Sequence, residues 1–514
     1  MAKSSLEDLY DLVHAMDPAE KRYFKQFAQF TARKATNRYM ILFDYLNKMP
    51  SYDEAVVLKY LKKRELHSQQ RSLVFHLFQL ILRGIGEYEA GATRQNKLKE
   101  LLKSARILLE KQQFNGCKKV LSRGRRMAEK LEDPFALLEI ISLEKQWLIA
   151  CEPRKLEATL EEKMAEEVKL VEQIQEVYEL DHLHTRHGLL RKRTTLADSS
   201  EKMDLLRELT TSPVLGKERV PGSFQSYLYY HQILGYHQFM EKDYEVARDH
   251  FESVVHRWEG NPDRIEDHPG LYLKSLTDLL NACIHTRRLD SAKKIIEVIG
   301  KVPVRNQQDQ FRLLNDTLYA QLLFFLNTGN FSQGGKLVKK VERMLGRYEG
   351  QMEEARKVSF FYNIAIFFFL YGDFSSSLKW INRIVQLPVN NLKRNTSDFS
   401  RILNLILHYE LGNLELLEHL FRATKRYFKH YQRMGPFERV IFKLVGRMIE
   451  IPTGVELEKI WSHYHAELSG IVESNTAKNP DGIFEMIFWL DSKIKKVPIE
   501  EVFALAVKLQ FVRT

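Results

Sequence analysis

The sequence predicts an all-α protein, an array of helical hairpins closed by a helical cap at each end. Three observations carry this expectation. One helical hairpin is spelled out between Phe360 and Pro388, its turn recurs along the chain at near-regular intervals, and the flanking segments keep helical periodicity but lose the turn.

From Phe360 to Tyr371 eleven apolar or aromatic side chains surround one asparagine, Asn363. The run is too short to span a bilayer and too apolar for a helix with a wet face, so it predicts a helix buried on several sides. Gly372 then supplies the freedom to reach positive φ and end that helix, while Asp373 can accept backbone N–H bonds at the start of the next. The second helix carries Leu378, Ile381 and Ile384 on one face and is expected to stop before Pro388.

Phe361, Ile364, Ala365 and Phe368, followed after the Gly372-Asp373-Phe374 turn by Ser377, Ile381 and Pro388, resemble the tetratricopeptide repeat. The resemblance implies a right-handed superhelical solenoid of helical hairpins. Ala365 and Ser377 are expected where the two helices cross, because short side chains let axes approach to roughly 8–10 Å. Ile384 is bulkier than the small residue usual at its place.

Taken in order, the chain opens on an amphipathic pattern from Leu6 to Met16. Asp17-Pro18-Ala19-Glu20 restarts a helix with an acidic cap, Pro in the first turn and Glu three residues beyond the cap. Further helices are expected around 39–46, 54–61 and 73–88, and residues 1–93 read as an amino-terminal cap. The repeat array is expected over 94–435, anchored on Phe114, Tyr244, Leu289, Phe331, Phe374 and Leu414. The last five anchors are separated by 289 − 244 = 45, 331 − 289 = 42, 374 − 331 = 43 and 414 − 374 = 40 residues. The longer gap after Phe114 predicts two degenerate hairpins in 135–212, with helices near 135–150, 155–178, 180–193 and 199–210, making about eight hairpins in all. After Met434-Gly435-Pro436 the register is lost, and helices around 437–449, 455–473, 483–494 and 499–509 form a carboxy-terminal cap. EKRYFK at 20–25 and WLDSKI at 489–494 resemble the ends of uncharacterised bacterial helical-repeat proteins, a likeness that implies no activity.

With 514 residues and 44% hydrophobic content the chain can bury an extensive core. Cys117, Cys151 and Cys283 form no CxxC and no even framework, which points to a reducing cytosol without disulfides or a cysteine zinc site. The first residues lack the apolar core of a signal peptide and no run is long enough for a transmembrane helix, so a cytoplasmic protein without membrane insertion is expected. The formal charge of +11 is uneven. Residues 1–134 hold 26 Lys/Arg against 16 Asp/Glu (26 − 16 = +10), and residues 135–187 hold 6 against 12 (6 − 12 = −6). A basic amino-terminal third favours acidic partners.

No phosphate-binding glycine loop, HExxH or GxSxG occurs, and helical hairpins offer few strained turns on which to expose a nucleophile, so no enzyme and no cofactor is expected. Asp181, His184 and His187 share a helical spacing, but three ligands at that spacing spread over roughly 9 Å while a metal holds its ligands at about 2 Å. His463 and Glu467, one turn apart, fare no better. Both groups read as exposed helix surface, and no metal is expected.

KRYFK occurs twice. Lys21, Arg22 and Lys25 in the first copy, Lys425, Arg426 and Lys429 with Arg433 in the second, and Arg123, Arg125 and Arg126 between them could hold phosphates while neighbouring rings stack on bases. The alternative for the second copy is a helix with Tyr427, Phe428 and Tyr431 facing the core and the cations facing water. In tetratricopeptide solenoids the first helix of each hairpin lines the concave surface. By that resemblance the wall would present Tyr229, Gln232, Tyr236, Lys274, Asn281, Tyr319, Tyr362 and Tyr409, with Thr277, Leu323, Ile366 and Ile402 beside them. Aromatic side chains so placed can anchor a peptide. The Lys/Asn clamp of chaperone-binding relatives is matched only by Lys274 and Asn281 and does not identify a chaperone cofactor. The function expected is a non-catalytic cytosolic scaffold or adaptor that binds a protein or peptide in this groove. The alternatives are a nucleic-acid or ribosome-associated protein using the basic amino-terminal third, and a peptide-sensing regulator.

Overall fold

The computed structural model describes residues 5–31, 36–66, 68, 70–91, 93–151, 156–192, 200–216, 221–302, 307–348, 350, 352–387, 394–451, 454–474 and 480–508. Among them the protein is all-α, with 25 helices and no strand. No helix among the described residues is long and apolar enough to cross a membrane.

The first group comprises α1 (Leu6–Ala15), α2 (Pro18–Thr31), α3 (Thr36–Lys48), α4 (Glu54–Lys63) and α5 (Gln70–Glu89). The start expected at Asp17 is realised: Asp17 Oδ1 accepts from the Glu20 amide at 2.8 Å, and Glu20 Oε2 accepts in return from the Asp17 amide at 2.7 Å. Leu9, Val13, Phe24, Leu42, Leu61 and Leu77 close a core of their own among these helices.

Then follow α6 (Arg94–Glu110), α7 (Phe114–Lys130), α8 (Pro134–Cys151), α9 (Leu156–Lys192), α10 (Ser200–Thr210), α11 (Phe224–Met240), α12 (Tyr244–Glu259), α13 (Pro262–Asp267), α14 (Pro269–His285) and α15 (Leu289–Ile299). Next come α16 (Gln307–Thr328), α17 (Phe331–Tyr348), α18 (Glu354–Tyr371), α19 (Phe374–Val385), α20 (Arg394–Glu410) and α21 (Leu414–His430). The chain closes with α22 (Pro436–Glu450), α23 (Val455–Ser474), α24 (Ile483–Lys495) and α25 (Ile499–Lys508). One expectation fails here. The two helices expected over 155–178 and 180–193 are the single 37-residue helix α9. Tyr178, Glu179 and Leu180, where the break was placed, bring neither proline nor glycine, and the isolated Gly188 is not enough to stop a helix. Pro388, expected to end α19, lies outside the described residues.

Each of the six anchor residues is the first residue of a helix: α7, α12, α15, α17, α19 and α21. Two residues before each anchor the backbone is left-handed, at Gln112 (φ 56°), Lys242 (67°), Arg287 (56°), Gly329 (65°), Gly372 (84°) and Gly412 (72°). The next amide reaches back five residues in every case, as in Asp373 N–H to Phe368 O (2.9 Å) and Gln113 N–H to Leu108 O (2.8 Å). Asp373 also caps α19 by accepting from the Ser376 amide at 3.0 Å. At the crossing of α18 and α19, Ala365 and Ser377 are fully buried, and the Ser377 hydroxyl donates to Ala365 O at 2.8 Å. Cys117, also fully buried, makes the equivalent contact with Ala105 O at 3.5 Å between α6 and α7. Gly235 holds the corresponding approach of α11 to α12, where an added Cβ would come within 2.7 Å of Phe251, and Gly334 of α17 holds one to the next hairpin, within 2.3 Å of Phe367 on α18.

Most helices pack on neighbours in sequence, with α12 on α14, α14 on α16 and α16 on α18. Two longer returns stand out: Arg94 of α6 bonds Asp263 and Asp267 of α13, and α25 returns to α16 and α18. Its Phe503 ring lies 5.9 Å from Phe331, and Ile499 lies against Gly372. On α24, Trp489 donates its indole N–H to Glu410 Oε1 (2.8 Å), and Lys493 Nζ reaches Glu410 Oε2 (2.7 Å). One hydrophobic core therefore runs from Leu318 to Ala506, beside a second formed mainly by α11, α12, α14 and α15.

Candidate interaction surface

The residues expected to line a groove lie on α11, α14, α16, α18 and α20, and side-chain contacts link the first four of these helices into one surface. The Tyr236 hydroxyl on α11 donates to Asp278 Oδ2 on α14 at 2.5 Å. Lys274 Nζ bonds the same hydroxyl, lies 3.3 Å from Asp278 Oδ2 and sits 4.8 Å from the centre of the Tyr236 ring. Asp278 in turn faces Asp316 on α16. The Asp316 carboxylate pairs with Arg356 on α18 and accepts from Asn315 Nδ2 at 3.0 Å. Arg356 lies over the Tyr319 ring at 4.3 Å, and Asn363 Nδ2 reaches the Tyr319 hydroxyl at 3.5 Å. Burial pushes the Asp316 carboxyl above its ordinary pKa, with Arg356 working against that shift.

Asp278, Asp316 and Arg356 were not singled out from the sequence. Asp278 stands one turn beyond Lys274 and Asp316 three residues before Tyr319, so the spacing that picked the wall residues also contained their partners.

Tyr236, expected as an exposed anchor, is only 7% exposed. Its ring packs 5.3 Å from Phe251 and stacks at 6.2 Å on His187 of α9. His187 itself is 1% exposed, which corrects the reading of that histidine as helix surface. Tyr229 is held similarly, with His184 4.8 Å from its ring. Burial, reinforced by a hydrogen bond to Asp181, pushes the Tyr229 hydroxyl up to about 12. The histidine-rich stretch of α9 is thus a packing face for α11, and no group of three or more metal-ligating side chains occurs among the described residues. Tyr409 lies 6.4 Å from Trp489, so its end of the wall is covered by α24 of the same chain.

Gln232, Asn281, Tyr319 and Tyr362 stay half-buried and Lys274 exposed. The Tyr362 ring meets Phe399 at 6.3 Å. Buried carbonyl oxygens of Asn281 and Asn315 accept no hydrogen bond among the described residues. This surface therefore offers aromatic edges and two carboxylates balanced by two cations. Such a set can take main-chain N–H groups and mixed side chains, and its balanced charge gives a polyanion no net attraction.

The basic residues are spread over α2, α7 and α21, with Arg433 just beyond α21. Two of them are corrected by the structure. Arg125 is 18% exposed at its side chain and is held by Glu144 at 2.6 Å and Glu166 at 2.6 Å. Arg433 is held by Asp398 at 2.9 Å and also donates to the Tyr427 hydroxyl at 2.6 Å. Both are committed to carboxylates inside the fold. Lys25 pairs with Asp44 at 2.6 Å, and burial lowers the pKa of Lys21. Arg22, Arg123, Arg126, Lys425, Arg426 and Lys429 remain exposed. Phe428 is fully buried as the core-facing alternative required, whereas Tyr431 is 44% exposed. All three cysteines are free thiols.

No protein-family model, curated protein or solved structure matches the chain.

Proposed function

We propose that the chain is a tetratricopeptide-like solenoid that serves as a non-catalytic scaffold, binding an extended peptide segment of a partner protein across α11, α14, α16 and α18. The reading is supported by six hairpin turns of one geometry and by neighbour packing through most of the array. The observation that carries the binding role is a charge-balanced wall, Lys274 and Arg356 beside Asp278 and Asp316, with Tyr319 and Tyr362 half-buried along it. Half-buried aromatic edges between paired charges can take the side chains of an extended segment. The three free thiols fit a reducing cytosol.

The test is capture of partners from lysate, with and without nuclease, followed by affinity measurements on the recovered protein. Asn281→Ala with Tyr362→Ala is expected to abolish nuclease-insensitive capture while the far-ultraviolet dichroism stays unchanged. Capture equal to wild type would overturn the groove. So would nuclease-sensitive recovery whose affinity falls by orders of magnitude between about 50 and 200 mM salt and is lost in Lys21→Glu with Arg22→Glu and Lys25→Glu; that result assigns binding to phosphate contacts.

A further inference from the structure

Helix α9 presents a second apolar stripe on the side away from its packing. Its inner face is buried through Leu170, Val177, Leu180 and His187. On the outer face Met164, Val168, Val171, Tyr178 and Leu189 are 57, 60, 50, 53 and 59% exposed. Gln175, His182 and Thr185, also exposed, fill the intervening places, so the stripe advances by alternating steps of four and three from 164 to 189. That is a 3.5-residue period, the seam along which one helix accepts another. Scattered exposed apolar residues need no explanation, but a heptad run along a 37-residue helix does.

The stripe broadens onto α8. Phe135 is 42% exposed and meets Tyr178 edge-on at 5.7 Å, while Lys145 Nζ binds Glu167 Oε2 at 2.6 Å. These two contacts set α8 and α9 antiparallel. They bring Ile149, 62% exposed, level with Met164. The result is a shallow apolar trough between two helices, of the shape that seats a third.

Charge names the occupant. Between residues 156 and 181 nine Asp/Glu stand against two Lys, a net of 2 − 9 = −7, in a chain whose formal charge is +11. The seam is flanked on one side by Glu172 and Glu179, while on the other Glu167 and Asp181 are already held by Lys145 and Tyr229. A second copy of α9 would set like charges against like across the seam, whereas a helix flanked by Lys or Arg would meet opposite charge along its length. We propose that the α8–α9 trough docks a basic amphipathic helix of a partner protein, separately from the α11–α18 wall.

The probe is a labelled synthetic peptide of four heptads, about 42 Å as a helix, with Leu at the seam positions and Lys at the flanking ones. A control peptide carries Glu in place of each Lys. Binding to the full chain is read by fluorescence anisotropy at about 150 mM salt, where exposed charges beyond about 8 Å are screened. The Lys peptide is expected to bind about tenfold or more tightly than the Glu peptide. Val168→Ser with Val171→Ser should weaken it by about tenfold or more without moving the melting temperature, since both side chains face solvent in the free protein. Glu172→Lys with Glu179→Lys should reverse the order of the two peptides. Equal affinity for both peptides, or unchanged binding in the serine variant, would overturn the proposal. A wild-type dimer in sedimentation that the serine variant dissolves would also overturn it, giving the trough to a second copy.

Discussion

Gln112, Lys242 and Arg287 occupy the left-handed position that Gly329, Gly372 and Gly412 hold in the other hairpins. A residue with a Cβ is strained there by roughly 1–2 kcal/mol, because the side chain crowds the following carbonyl. Gln112 is exposed, so nothing in its burial offsets that strain. Gln112→Gly is therefore expected to raise stability by about 1 kcal/mol, less the extra entropy glycine brings to the unfolded chain. The check is the midpoint of a urea melt, and a lower midpoint would show that the glutamine stabilises the turn in some other way. The contrast also marks how far single residues were legible. Gly372 could be read as a helix end because it follows an apolar run, while nothing in a glutamine announces a positive φ. The aromatic and leucine anchors gave the turns away instead, since they start the next helix whatever residue stands two places earlier.

Between elements, the crossing of α18 and α19 was legible because only small residues fit there. Ala365 and Ser377 are fully buried at that contact. Ala365→Leu should therefore cost about 1–3 kcal/mol through overpacking. An unchanged thermal melt would mean that the crossing lies elsewhere. Helix α9 was less legible. The gap between Phe114 and Tyr244 was filled with two hairpins of the array's period, which divided one 37-residue helix into two. The candidate wall was legible in its tyrosines but not in their exposure, because α9 and α24 cover Tyr229, Tyr236 and Tyr409 from distant parts of the sequence. Pattern within one hairpin cannot report a neighbour 45 or more residues away.

For the whole molecule, buried histidines set the response to acid. His231 and His250 share a hydrogen bond between their Nδ1 atoms at 3.0 Å across α11 and α12. Burial, with His250 adding to it, pushes His231 down to about 4. Burial also lowers His250, His237 and His408. In the unfolded chain these groups take up protons below a pH of about 6.5. The stability they contribute is thus complete above that pH and is lost as pH falls toward 4, at no more than about 1.4 kcal/mol per pH unit for each histidine. Asp316 and Glu20, both raised by burial, gain stability on acidification and offset part of the loss. The melting temperature should fall between pH 7 and pH 5, and His231→Asn should flatten that fall. An equal slope in the variant would place the acid sensitivity in other groups.

The return of α25 onto α16 and α18 changes how the helices can come apart. A purely linear stack unzips from its ends, each unit held by its neighbours alone. Here the contact of Phe503 with Phe331 ties the last described helix to one eight helices earlier, so the helices between them form a closed circuit of dependencies. Opening any one of them strains the link on both sides. The stretch from α16 to α25 should therefore behave as one cooperative unit, with slow and uniform amide exchange, while α1 to α5, which close a core of their own, open independently.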